Sequence, residues 1–148
     1  MSRWSYYLPI LAYHKVGVYR RDHLPTVSEA AFTQQLEWIA RSRLHVLSLE
    51  EVSRALQQQG AFPRRCVAIT FDDGYQSVFE NALPVLQKFQ FRATCYIVSN
   101  LIGKTDEWNI PAGFPAKSLM NATQLQHWVN AGMEIGSHTL SHPDLTSI

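Results

Sequence analysis

Apolar positions along the chain switch repeatedly between a strand-like run and a helical spacing, and the switches set the expected elements. Leu8-Pro9-Ile10-Leu11-Ala12-Tyr13 is a short apolar run ending at His14, which predicts a buried strand with Pro9 at its start. Phe32, Leu36, Ile39 and Ala40 then recur at helical spacing, pointing to a helix that starts near Thr26 to Ser28. Thr26 with Glu29 makes a capping-box pattern, and Ser28 is the alternative cap. His45-Val46-Leu47 reads as a brief strand. Ser48 with Glu51 repeats the capping-box pattern ahead of a second helix with Leu49, Val52 and Leu56 on one face, stopped by Gly60 and Pro63. Cys66 to Phe71 is apolar at nearly every position, which predicts a strand buried on both faces.

The helical spacing returns over Tyr75 to Phe89, where Val78, Phe79, Leu83, Leu86 and Phe89 are apolar and Pro84 predicts a break. Arg92 to Val98 reads as a strand. Residues 103 to 117 show no period and read as a long loop, a kind of segment that is often functional in a compact domain. Ala122 to Ala131 predicts a short helix with Thr123 as cap and Leu125, Trp128 and Val129 inward, and Met133 to Ser137 predicts the last strand. Strands alternating with helices imply an α/β fold with a parallel sheet and crossover helices, either open or the greater part of a barrel.

Composition narrows the function classes. A chain of 148 residues with 46% hydrophobic and 17% charged positions suits one folded domain over residues 1–148. The formal net charge of +1 excludes a strong overall field for nucleic acid or an anionic membrane, and the pairs Arg20-Arg21 and Arg64-Arg65 read as solvated loop charges. The early apolar run is too short to span a bilayer, and no export signal is present as written, so a cytoplasmic location is expected. Cys66 and Cys95 lie in apolar strand patterns and read as buried reduced thiols.

The candidate chemistry begins where the most apolar strand ends, in Thr70-Phe71-Asp72-Asp73-Gly74. Asp-Gly alone is ordinary turn chemistry. At the carboxyl end of a parallel strand, however, it stands where α/β folds place their sites. Adjacent strand side chains point to opposite faces, so both aspartates reach one site only if the backbone turns, which Gly74 permits. Two close carboxylates repel unless a cation lies between them, which favours one metal ligand and one free base. The second half is Gly136-Ser137-His138-Thr139-Leu140-Ser141-His142-Pro143 at the exit of the last strand. If that segment turns helically, His138 and His142 share a face. Two histidines and one aspartate leave room for a water, as in a catalytic rather than a closed structural zinc site.

Thr70-Phe71-Asp72-Asp73-Gly74 and Ser137-His138-Thr139-Leu140-Ser141-His142 resemble the first two motifs of the polysaccharide deacetylases, the NodB-homology domain of carbohydrate esterase family 4. Leu8 to His14, Val46 to Leu49 and Asn81 to Leu86 resemble that family as well. The resemblance implies a deformed (β/α) barrel and metal-dependent hydrolysis of N- or O-linked acetyl groups on a glycan. It implies Asp72 as the general base and Asp73, His138 and His142 as ligands of a divalent metal, usually zinc. It also implies an arginine–aromatic motif, an aspartate–tryptophan motif and a late histidine acting as general acid, none of which has a counterpart before Ile148. The expectation is therefore an incomplete barrel, truncated after the second motif.

The alternative to an enzyme is a catalytically inactive metal- or glycan-binding half-barrel. Its open sheet edge would suit pairing with a second copy. His14 is expected near the substrate or as a structural histidine, and Trp108 either stacks on a sugar or packs over the barrel mouth. His23, His45 and His127 read as surface or structural residues.

Overall fold

The computed structural model describes residues 4–18 and 25–146. The pair Arg20-Arg21, His23 and most of the expected 17–24 loop lie outside the described residues. In chain order the described elements are β1 (Trp4–Ser5), β2 (Ile10–Tyr13), β3 (Lys15–Val16), β4 (Thr26–Val27), α1 (Glu29–Arg41), β5 (His45–Leu47), α2 (Leu49–Gln59), β6 (Phe62–Pro63), β7 (Cys66–Phe71), α3 (Leu83–Phe89), β8 (Thr94–Ile97), α4 (Ala122–Asn130) and β9 (Glu134–Ser137). Irregular helical turns cover Val78–Ala82, Ser99–Leu101 and Glu107–Ala112.

β7 organises the sheet. Its six residues are all buried, as the unbroken apolar run requires. It pairs in parallel with β2 (Tyr13 opposite Phe71), with β5 (Leu47 opposite Ala68) and with β8 (Phe71 opposite Cys95). β9 continues the parallel sheet on β8, with Ser137 opposite Ile97. Five parallel strands with crossover helices make the open sheet that the alternation of elements predicts. Among the described residues β2 pairs only with β7. Beside this edge, Ile10 and Trp38 (52% and 63% exposed) border an apolar groove of about 820 Å³.

Aromatic packing fixes the upper end of β7. The Phe71 ring, fully buried, lies 5.6 Å from Tyr13, 5.9 Å from Phe32 and 6.0 Å from Trp128. Rings at these separations add to the burial of their area. The Trp128 N–H donates to the Glu134 carbonyl at 2.8 Å, which ties α4 to the start of β9. Cys66 and Cys95 are both free and buried, as expected.

Several boundaries differ from the expectation. Thr26 caps nothing: the backbone of residues 25 to 27 accepts from Lys15 and Gly17 and forms β4 beside β3, leaving Ser28 as the cap of α1. The predicted capping box of α2 is present, with the Ser48 N–H donating to Glu51 and the Glu51 N–H to Ser48 Oγ. Asn121, not Thr123, caps α4, because its amide oxygen accepts from Gln124 N–H while the Gln124 side chain accepts from Asn121 N–H. Ala40, Leu56 and Val129 are exposed rather than inward, since periodicity gives the direction of an apolar stripe but not the width that neighbours cover. The break at Pro84 is observed. A π-helical turn gives way at Leu83 to an α-helix with Pro84 in its first turn, where no N–H is required. No helix among the described residues is long and apolar enough to cross a membrane.

Glu134 locks the last strand to α2. Its carboxylate accepts from the backbone N–H of Leu49 at 2.9 Å and Glu50 at 3.2 Å and from the Thr94 hydroxyl at 2.6 Å, which places an anion on a helix N-terminus. Burial opposes its ionisation, but hydrogen bonds from Thr94, Ser48, Glu50 and Leu49 outweigh it and hold the carboxyl below its ordinary value. The stabilisation is therefore complete above the unfolded value and fades as pH falls through the lowered one. Glu134→Gln should cost about 1–2 kcal/mol at about pH 7, and the difference should shrink at about pH 3. Urea midpoints at the two pH values check this, and an equal loss at both would contradict it.

Candidate metal centre

The backbone beyond Phe71 carries the sequence's twin carboxylates into a left-handed turn. Asp72 N–H donates to the Tyr13 carbonyl at 2.8 Å, which extends the β2 ladder by one bond. Asp73 (φ 72°) and Gly74 (φ 78°) are both left-handed, a conformation that costs a non-glycine residue and recurs at functional sites. The reversal buries Asp73 to 4% exposure while Asp72 stays partly open. A Cβ on Gly74 would meet Ile97 Cγ2 at 3.0 Å, so glycine is required there for space as well as for φ.

The histidine pair follows β9. His138 N–H donates to the Ile97 carbonyl at 2.8 Å, one further ladder bond. The chain then leaves the sheet, and no helix forms over 138–142. The helical turn that would set both imidazoles on one face is not formed. Thr139 (φ 68°) and His142 (φ 55°) are left-handed, and the turn closes with His142 N–H donating to Thr139 Oγ1 at 2.9 Å. The N–H groups of Ser99 and Asn100 hold the carbonyls of Thr139 and Leu140, docking this loop on the turn after β8. A hydroxyl at position 139 thus does locally what helical periodicity was expected to do.

These two turns bring Asp73, His138 and His142 together, with donor atoms all within 4.8 Å of one another. His138 Nε2 lies 3.2 Å and His142 Nε2 3.3 Å from Asp73 Oδ1. The separations alone would suit protonated histidines paired with a carboxylate. Yet Oδ1 is buried with no aligned donor, and such an oxygen is costly. Tetrahedral ligands at zinc–donor distances of about 2.0–2.1 Å stand roughly 3.3 Å apart, so the donor set fits a small divalent ion.

The surroundings follow the same charge pattern. The Cys95 thiol is held far above its ordinary value by burial first and then by Asp72 and Asp73, and it stays neutral. Burial, Asp73 and Asp106 push the Tyr75 phenol up as well, so it remains a donor. His14 Nε2 lies 4.0 Å from Asp72 Oδ2. His14, Asp73, Tyr75, Trp108 and His142 line one cavity of about 210 Å³. The larger groove beside β2 is apolar and lies away from this chemistry.

Trp108 lines the cavity beside Asp73 and packs against a candidate ligand. Its ring stacks on His142 at 4.3 Å between centroids and 13° between planes. His45 is exposed, and His127 stacks on Phe79 outside the site. Sequence reading missed Tyr75, Asp106 and Asn109. Tyr75 and Asp106 hydrogen-bond at 2.9 Å, fully inside the protein, and Asn109 joins them. The one available signal is the aperiodic stretch that holds Asp106 and Asn109, in which Trp108 alone is singled out.

A family model described as polysaccharide deacetylase matches residues 59–148. The chain is 32% identical over 115 residues to the poly-beta-1,6-N-acetyl-D-glucosamine N-deacetylase of Staphylococcus epidermidis, covering 77% of this chain and 37% of that protein. Among solved structures it is similar to the Streptococcus pyogenes deacetylase PplD in complex with acetate (TM-score 0.77, 29% identity, 95% of this chain and 60% of that one). It is also similar to IcaB from Ammonifex degensii (TM-score 0.77, 26% identity, 90% and 53%). The chain spans under half the length of the curated relatives it matches.

Gly74→Ala should cost about 1–3 kcal/mol through strain at positive φ and crowding against Ile97. Thermal melts of the variant check this, and an unchanged midpoint would contradict the turn's role.

Proposed function

Because the chain belongs to the polysaccharide deacetylase family, we propose that it carries the metal and base portion of a hydrolase that removes N-linked acetyl groups from a glucosamine-type polymer. The observation that carries this reading is the buried Asp73 Oδ1 facing two imidazole nitrogens at 3.2 and 3.3 Å. Asp73, His138 and His142 would hold a divalent ion, with zinc favoured by two nitrogen donors and one oxygen donor. When bound, such an ion supplies Lewis acidity toward the acetyl carbonyl and toward water.

The chain's own residues do the remaining work. Asp72, partly open and next in sequence to a ligand, accepts the proton of the attacking water. The water oxygen bonds to the acetyl carbon, the carbon–nitrogen bond breaks, and the leaving amine takes up a proton. Asp72, protonated as the water attacks, can return that proton to the amine, and His14 borders it with Nε2 4.0 Å from Oδ2. The 210 Å³ cavity beside His14 and Trp108 would receive the acetylated sugar. A β-1,6-linked N-acetylglucosamine polymer is the substrate we put forward, from the S. epidermidis relative named above.

Zinc should bind the purified chain at one equivalent, and Asp73→Ala and His138→Ala should each abolish binding, as read by equilibrium dialysis with elemental analysis. Asp72→Asn should keep the zinc and lose any acetate release by about 100-fold or more. A wild-type chain without stoichiometric divalent metal, or an Asp72→Asn variant with undiminished turnover, would overturn the reading.

A further inference from the structure

The long connection between β8 and α4 contains buried chemistry that the proposed reaction leaves unused. Its two arms pair with each other, Asp106 N–H to the Lys117 carbonyl and Leu119 N–H to the Lys104 carbonyl, both at 2.9 Å. They also pair with the turn after β7, where Gln76 N–H donates to Ser118 and Met120 N–H to Gly74. Between the arms Asp106 is wholly buried. Its Oδ2 accepts from the Tyr75 hydroxyl at 2.9 Å and from Asn109 Nδ2 at 2.7 Å, and its Oδ1 accepts from the Lys117 backbone N–H. A carboxylate removed from water is costly unless donors surround it. Here the donors come from the residue after Asp-Asp-Gly, from the turn at 107–112 and from the returning arm.

Two residues beyond Asp106, the Trp108 ring lies flat on His142. An imidazole that holds a metal has to be kept in one orientation, which a hydrogen bond to its other nitrogen commonly achieves. The His142 ring lies flat on the indole at 4.3 Å, with the ligand ring of His138 edge-on to it at 5.3 Å. We propose that Asp106 is a positioning residue for the metal centre: by tying the 103–120 loop to Tyr75 it holds Trp108 against His142, and so presets the imidazole whose Nε2 faces Asp73. This rests on the metal reading above.

A zinc competition titration against a chromophoric chelator tests the inference on wild type, Asp106→Asn, Trp108→Ala and the double variant, with folding of each metal-free protein followed by circular dichroism. Each single variant should bind zinc about 10-fold more weakly than wild type. Because Asp106 acts through Trp108, the double variant should bind no more weakly than Trp108→Ala alone. Additive losses, or an unchanged affinity in Trp108→Ala, would overturn it. If Asp106→Asn does not fold, Tyr75→Phe replaces it in the cycle, removing one donor while keeping the ring, with the same non-additivity expected. A wild-type chain that binds no zinc overturns the metal reading and this inference with it, whereas tight wild-type binding with unaffected variants overturns the inference alone.

Discussion

A carboxylate oxygen buried without a hydrogen bond, Oδ1 of Asp73, sets the demands that the surrounding structure meets. Leaving such a group unsatisfied costs free energy of the order of a few kcal/mol, so the fold must fix it rigidly and something must neutralise it. Rigidity comes from below, through the fully buried β7 and the ring cluster around Phe71. Convergence comes from the side, through the docked turn that ends in His142. The left-handed residues Asp73, Thr139 and His142 gather at this one place. Local backbone cost is concentrated where three donor atoms have to meet, and it is sustained by the sheet beneath.

The same constraint divides the two aspartates. In an unbroken strand they would face opposite ways; the turn at Asp73 instead sends one carboxylate into the protein and leaves its neighbour at the mouth, opposite His14. A ligand is best buried, and a base needs access to water. One reversed residue produces both environments from an Asp-Asp pair.

Much of this was written in the sequence, for reasons that differ by element. β7 was legible because double-sided burial leaves an unbroken apolar run, and α2 because its capping box is a local code. The pairing of Asp73 with histidines far along the chain was legible because both halves lie at strand exits, where a parallel sheet gathers its ends. The turn that unites His138 with His142 was not legible: it depends on Thr139 taking a positive φ and lending its hydroxyl, which no periodicity encodes. Nor was Asp106. An aspartate in an aperiodic stretch reads as a solvated loop residue until tertiary pairing closes the arms of that loop over it. Small strands such as β4 escaped notice for the same reason, since backbone pairing displaced the cap that Thr26 seemed to offer.

X-ray absorption at the zinc edge of the zinc-loaded chain tests the central claim most directly, because it reads the donor set itself. The account predicts a shell of nitrogen and oxygen neighbours at about 2.0–2.1 Å with the outer-shell scattering of two imidazoles. A sulfur shell at about 2.3 Å, or a spectrum without imidazole scattering, would contradict it.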